Sequence, residues 1–198
     1  MPVRYWQSLA SFLSSFLKYK TEQMNRIFAT MRHFLLFLFL GTSAFLSAQS
    51  VAEIQKEIDA QVWRPFQEAF QELDGQALND TYAAQVLRVT PGGIDTENSF
   101  KQANLKRFTQ NKADGISIRL DFWFDSRHTN ITTSYEVGFY RIGATNAAGE
   151  TSYNYGQFHI VLEKIEGIWK ITQDWDTTTI NGHAIGSEDF AKNPSVNF

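Results

Sequence analysis

No cysteine occurs in the 198 residues. That absence excludes thiol catalysis, cysteine-based zinc sites and disulfide cross-links. It also excludes a lipid anchor built on a cysteine at a cleavage point. Histidine is scarce: His33, His128, His159 and His183 stand far apart without His-x-x-x-His spacing. The sequence therefore predicts no metal site. It has no glycine-rich phosphate loop and no nucleophile elbow, and no cofactor is expected. Basic residues are few beyond position 48, with 13 Lys and Arg against 20 Asp and Glu, a net of −7. Such a chain binds nucleic acid poorly, because phosphate neutralisation needs clustered Lys and Arg.

Hydrophobic residues make up 43% and charged residues 20%, the balance of a globular chain. Aromatics reach 15%, with 17 Phe, enough to build a bulky core or line a cavity with rings.

The first 48 residues hold the other five basic residues and a single acid, Glu22. Met31-Arg32-His33 opens a charged start, Phe34 to Leu40 is an unbroken apolar run, and Ala44-Phe45-Leu46 continues it to the small pair Ser47-Ala48. This pattern predicts an export signal over 31–48, cut after Ala48. The mature chain is then periplasmic or secreted and has no stable membrane span. An uncleaved anchor is the competing reading, weakened by the short apolar stretch and its interruption at Gly41–Ser43. Residues 1–30 read as an extended leader or a start placed too far upstream, with translation beginning at Met24 or Met31.

Past the signal, 49–180 reads as one domain and 181–198 as a loose tail. Val51, Ile54, Ile58, Val62, Phe66, Phe70 and Leu73 recur at steps of three or four, predicting an amphipathic helix with a kink or break at Pro65. A second short helix is expected over Leu78–Ala84, a strand over Val86–Thr90, and a turn at Pro91-Gly92-Gly93. A third helix, capped by Asp95 or Thr96, is expected to run to about Gln110. Period-two alternation then takes over. Strands are predicted from Ile116 to Phe124, Ile131 to Ile142, Thr151 to Ile165 and Trp169 to Thr178, with Trp169, Ile171 and Trp175 facing the core. Helices followed by an antiparallel meander predict an α+β fold.

The order of elements, with Tyr155-Gly156-Gln157-Phe158, Glu166-Gly167-Ile168-Trp169-Lys170-Ile171 and Asp174-Trp175-Asp176, resembles the nuclear transport factor 2-like superfamily. Within it the sequence is most similar to the small exported domains related to ketosteroid isomerase and SnoaL-type cyclases. The resemblance spans about Val51 to Thr179. It implies a nuclear transport factor 2-like, or cystatin-like, cone: a curved antiparallel sheet wrapped around the N-terminal helices, with a pocket at one end. Isomerases of this kind place a carboxylate before the Pro-Gly turn and a Tyr on the long helix. Here Arg88-Val89-Thr90-Pro91 and Phe66 with Phe70 stand there, which argues against that reaction.

The candidate ligand-binding residues are Tyr82, Arg88 and Trp175. The two aromatics join an apolar ring to a polar tip, and Arg88 suits a ligand carboxylate. Tyr82, Phe122, Phe139, Phe158, Trp169 and Trp175 could converge on a pocket or simply fill a core. His159 and Asp174 are the catalytic candidates, with Asp174 and Asp176 sharing a strand face as paired carboxylates. Each has a structural alternative: an outer-face polar group for His159, ordinary strand-end hydrogen bonding for the aspartates. Two functions follow. One is binding of a small apolar or amphipathic molecule. The other is isomerase, cyclase or hydratase chemistry using Tyr82, Asp174 and His159. The outer sheet face, with Arg119, Asp121, Trp123, Glu136, Tyr140, Tyr153, Tyr155, Gln157, His159 and Val161, predicts a homodimer interface. The alternative is that the C-terminal tail folds back over these rings.

Overall fold

The computed structural model describes residues 49–196 and Phe198, together with Lys18, Lys20, Thr21, Gln23 and Met24. The export signal and its cut site lie outside the described residues. Among the described residues no helix is long and apolar enough to cross a membrane. Gln49–Phe198 forms one compact unit.

Helix α1 (Val51–Ile58) starts at a capping box, in which Ser50 Oγ accepts from the Glu53 backbone N–H and Glu53 returns a carboxylate to the Ser50 N–H. A π-helical turn, Asp59–Trp63, joins it to α2 (Arg64–Glu72), and the Arg64 N–H donates five residues back to the Asp59 carbonyl. Pro65 has no N–H to offer. The expected break thus takes the form of a change from α to π bonding just before the proline, and the chain stays helical. Leu73, at φ 53°, ends α2, and Asp74 caps α3 (Gly75–Asp80) through the N–H groups of Gln76 and Ala77. The second helix is therefore earlier than expected. Tyr82 already belongs to strand β1 (Tyr82–Thr90).

After β2 (Gly93–Asp95) comes α4 (Ser99–Ala113). The Asp95 carboxylate accepts from Ser99 Oγ and the Phe100 N–H, each at 2.7 Å, so it does cap this helix, from four residues before its first turn. Strands β3 (Ser117–Thr129), β4 (Thr133–Thr145), β5 (Thr151–Ile165) and β6 (Ile168–Thr177) follow. The six strands form one curved sheet in the order β2-β1-β6-β5-β4-β3, antiparallel except for β1 beside β6. The fold is α+β, as expected.

Two bulges set which side chains face the helices. In β6, Val161 opposes Gln173 while Leu162 opposes Ile171, leaving Thr172 as the extra residue. Trp169 and Ile171 point inward before it, Asp174 and Asp176 after it, and Trp175 is turned outward at 37% exposure. In β3 the register shifts between Phe124 and Ser126. On β4, Glu136 and Tyr140 face inward, and Phe139 faces outward opposite Trp123. The expected face of Trp175 is reversed by the β6 bulge, and those of Glu136, Phe139 and Tyr140 are reversed along the regular strand β4, where the predicted alternation is one residue out of phase. Close approach requires Gly138: a Cβ there would collide with the Trp123 carbonyl and the Phe158 ring.

The residues after β6 do not hang free. A hairpin of β7 (Thr179–Ile180) and β8 (His183–Ala184), then α5 (Ser187–Phe190), lie on the outer face. Ile185 and Phe190 cover Trp123 and Phe139, which stack at 4.6 Å, and Trp123 Nε1 donates to the Phe190 carbonyl. Farther on, the Val196 N–H donates to the Phe122 carbonyl on the edge strand β3, and Phe198 packs on the Phe122 ring. The tail therefore covers the rings at this end of the sheet, and Tyr153 and Trp175 stay exposed.

Candidate functional site

Strands β1 and β6 run side by side with Arg88 in register with Asp174. Between Tyr82 and Leu87 the β1 ladder is interrupted, and Asn98 supports the excursion by accepting from the Val86 N–H and donating to the Ala84 carbonyl. Tyr82 thereby reaches Asp174 from the start of the strand. Its hydroxyl donates to Asp174 Oδ2 at 2.7 Å, and Arg88 Nη1 donates to the same oxygen at 2.6 Å. Arg88 Nη2 reaches Asp176 Oδ2 at 3.2 Å, and the guanidinium lies over the Phe100 ring. The bulge at Thr172 makes this quartet possible, because it turns both aspartates toward Arg88.

The quartet closes one side of a cavity of about 200 Å³. The other walls are apolar: Phe66, Phe70, Leu120, Phe122, Phe158 and Ile160, with Tyr140, Asn104 and Arg107 among them. Gly156 makes room for Tyr140, since a Cβ there would strike the phenol tip.

Burial and the charge of Asp174 raise the Tyr82 pKa well above its ordinary value, so the phenol stays protonated. Burial works to lower the Arg88 pKa, but Asp174, Tyr82 and Asp176 together push it up. Burial raises the Asp176 pKa, against the attraction of Arg88 and with repulsion from Asp174. Tyr140 is pushed up to about 12, by burial first and then by Asp176.

Of the residues singled out in the sequence, Tyr82, Arg88 and Asp174 meet here. His159 and Trp175 do not. They touch each other edge to face at 4.4 Å on the opposite side of the sheet. His159 Nδ1 lies 2.5 Å from Tyr135 Oη, and burial lowers its pKa. The pairing of His159 with Asp174 fails because the two stand on opposite faces. Phe122 and Phe158 line the cavity, Trp169 is wholly buried in the core, and Phe139 lies outside. Sequence reasoning placed Tyr140 on the outer face and missed Arg107 altogether. A second cluster forms around Glu136, which the sequence pattern places on the outer face. Glu136 is 0% exposed and accepts from Trp63 Nε1, Ser134 Oγ and Arg127 Nη2. Among the described residues, no group of three or more His, Asp or Glu side chains is placed to hold a metal ion.

The chain matches no protein-family model and no curated protein. It does match solved structures in fold. A nuclear transport factor 2-like superfamily protein from Salmonella enterica serovar Typhimurium aligns over 69% of this chain and 95% of its own, at 14% identity and a TM-score of 0.51. A conserved protein from Planctomyces limnophilus aligns over 62% and 94%, at 19% identity and a TM-score of 0.51. A protein of unknown function from Mycobacterium tuberculosis aligns over 66% and 76%, at 13% identity and 0.51. Likeness at this level fixes architecture and leaves chemistry open.

Proposed function

We propose that this nuclear transport factor 2-like domain binds a small, largely apolar molecule in its cavity, with one polar end against Tyr82, Arg88, Asp174 and Asp176. The observation that carries the reading is an apolar cavity of about 200 Å³ ending in a fixed polar quartet. A dry cavity of about 150 Å³ suffices for benzene, so a single substituted ring is the right scale. The pattern of residues 31–48 supports the further reading that binding takes place outside the cytoplasm. Titration with one-ring fragments, followed by nuclear magnetic resonance, tests the site. Saturable shifts at Phe122, Phe158 and Tyr82 are expected. Shifts confined to His159 and Trp175, or none at all, would overturn it. Sequencing the N-terminus of the protein from its host tests export, with Gln49 expected first.

An enzymatic reading has its own support. The second oxygen of Asp176 takes no hydrogen bond from the described residues, and burial has made this carboxylate a stronger base. The Tyr140 hydroxyl makes no hydrogen bond among the described residues either. Such a pair suits proton removal beside a carbonyl, with Asp176 as base and Tyr140 donating to the oxygen that gains charge. Exchange of the α-hydrogens of cyclohexanone in D2O measures this directly. Catalysed exchange lost in Asp176→Asn would establish the activity, and exchange no faster than buffer would leave binding alone.

A further inference from the structure

Arg107 is the one cavity-lining cation whose positive charge no carboxylate of the described residues answers. Arg88 is held by both aspartates. The Arg107 guanidinium lies over Phe108 at 4.9 Å and Phe70 at 5.6 Å. Among the described residues it makes a single hydrogen bond, from Nη2 to Asn104 Oδ1 at 3.3 Å. A guanidinium has five N–H donors, so most of its capacity is uncommitted.

The group is nonetheless held in place. Asn104 Nδ2 donates to Asn79 Oδ1, and Asn79 Nδ2 donates to the Lys101 carbonyl. Both amides are buried, at 7% and 8% exposure. A relay of buried amides and two aromatic rings thus orients one fork of donors beside an apolar cavity. Arg107 is itself exposed, so its fork stands where the cavity meets solvent, and water holds its free donors until a ligand takes them. Although the side chain is exposed overall, desolvation beside the rings and the like charge of Arg88 lower the Arg107 pKa, and an anion set against it would offset both.

We propose that the natural ligand is a one-ring carboxylic acid whose carboxylate pairs with Arg107 while its ring lies in the cavity against Phe122 and Phe158. This rests on the reading of the cavity as a binding site. A planar carboxylate matches one guanidinium fork in bidentate fashion. A phosphate dianion fits less well, because it brings a second charge toward Asp174 and Asp176. The competing explanation is that the Arg107 stem merely roofs Phe70 and Phe108.

Calorimetric titration with phenylacetate and phenylacetamide separates the two. The wild type should bind the acid about tenfold or more tightly than the amide, the scale of one charge-assisted pair. Arg107→Gln should abolish that preference by weakening only the acid, and Arg107→Lys should keep part of it. Equal binding of the two probes, or a preference that survives Arg107→Gln, overturns the carboxylate assignment and leaves a neutral ligand for the same cavity. Binding of neither probe overturns the assignment together with the cavity reading. Thermal melts of both variants matching wild type show that the comparison is made on folded protein.

Discussion

Glu136 and Asp176 invite comparison. Each is a carboxylate on the inner face of the sheet, each is paired with an arginine on the adjacent strand, and burial raises the pKa of each. Around Glu136 both oxygens are taken. Arg127 bridges it to Asp59 on the π-helical turn, and Trp63, Ser134 and Arg127 supply three donors. Around Asp176 one bond of 3.2 Å reaches one oxygen, and the side chain faces open space. The same residue types thus tie helix to sheet in one place and form the end of a cavity in the other. Spare hydrogen-bonding capacity beside an open cavity separates the Asp176 end from the Glu136 cluster, and the presence of charge does not.

The scale for this contrast is set away from both clusters. Trp169 is 0% exposed within the main hydrophobic cluster, so Trp169→Ala should cost about 3–5 kcal/mol by urea unfolding. A loss under about 1 kcal/mol would mean that the core closes around the gap. Glu136→Ala should come next, at about 3 kcal/mol, because it strands buried donors and leaves Arg127 with Asp59 alone. A near-neutral result would erase the distinction between the two clusters. Gly156→Ala should cost about 1–3 kcal/mol while Tyr140 is forced out of place, and fragment affinity should fall with it. Unchanged affinity would remove Tyr140 from the site.

The smallest effect is expected at Asp176. Asp176→Asn should change stability at neutral pH by less than about 1 kcal/mol, since burial already offsets its attraction to Arg88. Its signature is in the pH dependence. With raised pKa values, Asp176 and Glu136 hold protons in the folded chain where the unfolded chain, titrating near pH 4, has released them. Their contribution to stability therefore falls as pH rises from about 4 until each folded pKa is passed. Melting temperatures across this range should fall less steeply in Asp176→Asn than in wild type. An identical slope would show that Asp176 does not titrate in this way.

Much of the fold was legible because its signals are periodic. The apolar steps of the first helix hold from Ile54 to Leu73, with Val51 left exposed, and the alternation from Ile118 to Phe124 holds as well. What failed were phases. Nothing in Trp169-Lys170-Ile171-Thr172-Gln173-Asp174 announces that Thr172 is an extra residue, and a strict period of two carries Trp175 inward with Trp169. That slip separated Trp175 from the site and hid the role of Asp176 as a partner of Arg88. Tyr82 and Arg88 do border the cavity, and each was chosen for its chemistry, an apolar body with a polar tip and a lone cation on a strand. Arg107 was invisible because its surroundings come from Asn79, Phe70 and Phe108, which only the packing of three helices brings together. The tail read as loose because its anchors, Ile185, Phe190 and Val196, are spaced too widely for any periodic signal.

The π-helical turn has a geometric consequence. Ile54, Ile58, Val62, Phe66 and Phe70 follow one another at constant steps of four residues. In a regular α-helix each such step overshoots a full turn by roughly 40°, so five positions would wind roughly 160° around the axis and leave the core. A turn bonded to the fifth residue is wider and takes more residues per revolution, which removes much of that drift. All five side chains therefore reach one hydrophobic cluster from a single helical rod. Deleting one residue between 59 and 63 would restore α geometry at the price of rotating either Ile54 and Ile58 or Phe66 and Phe70 away from the sheet.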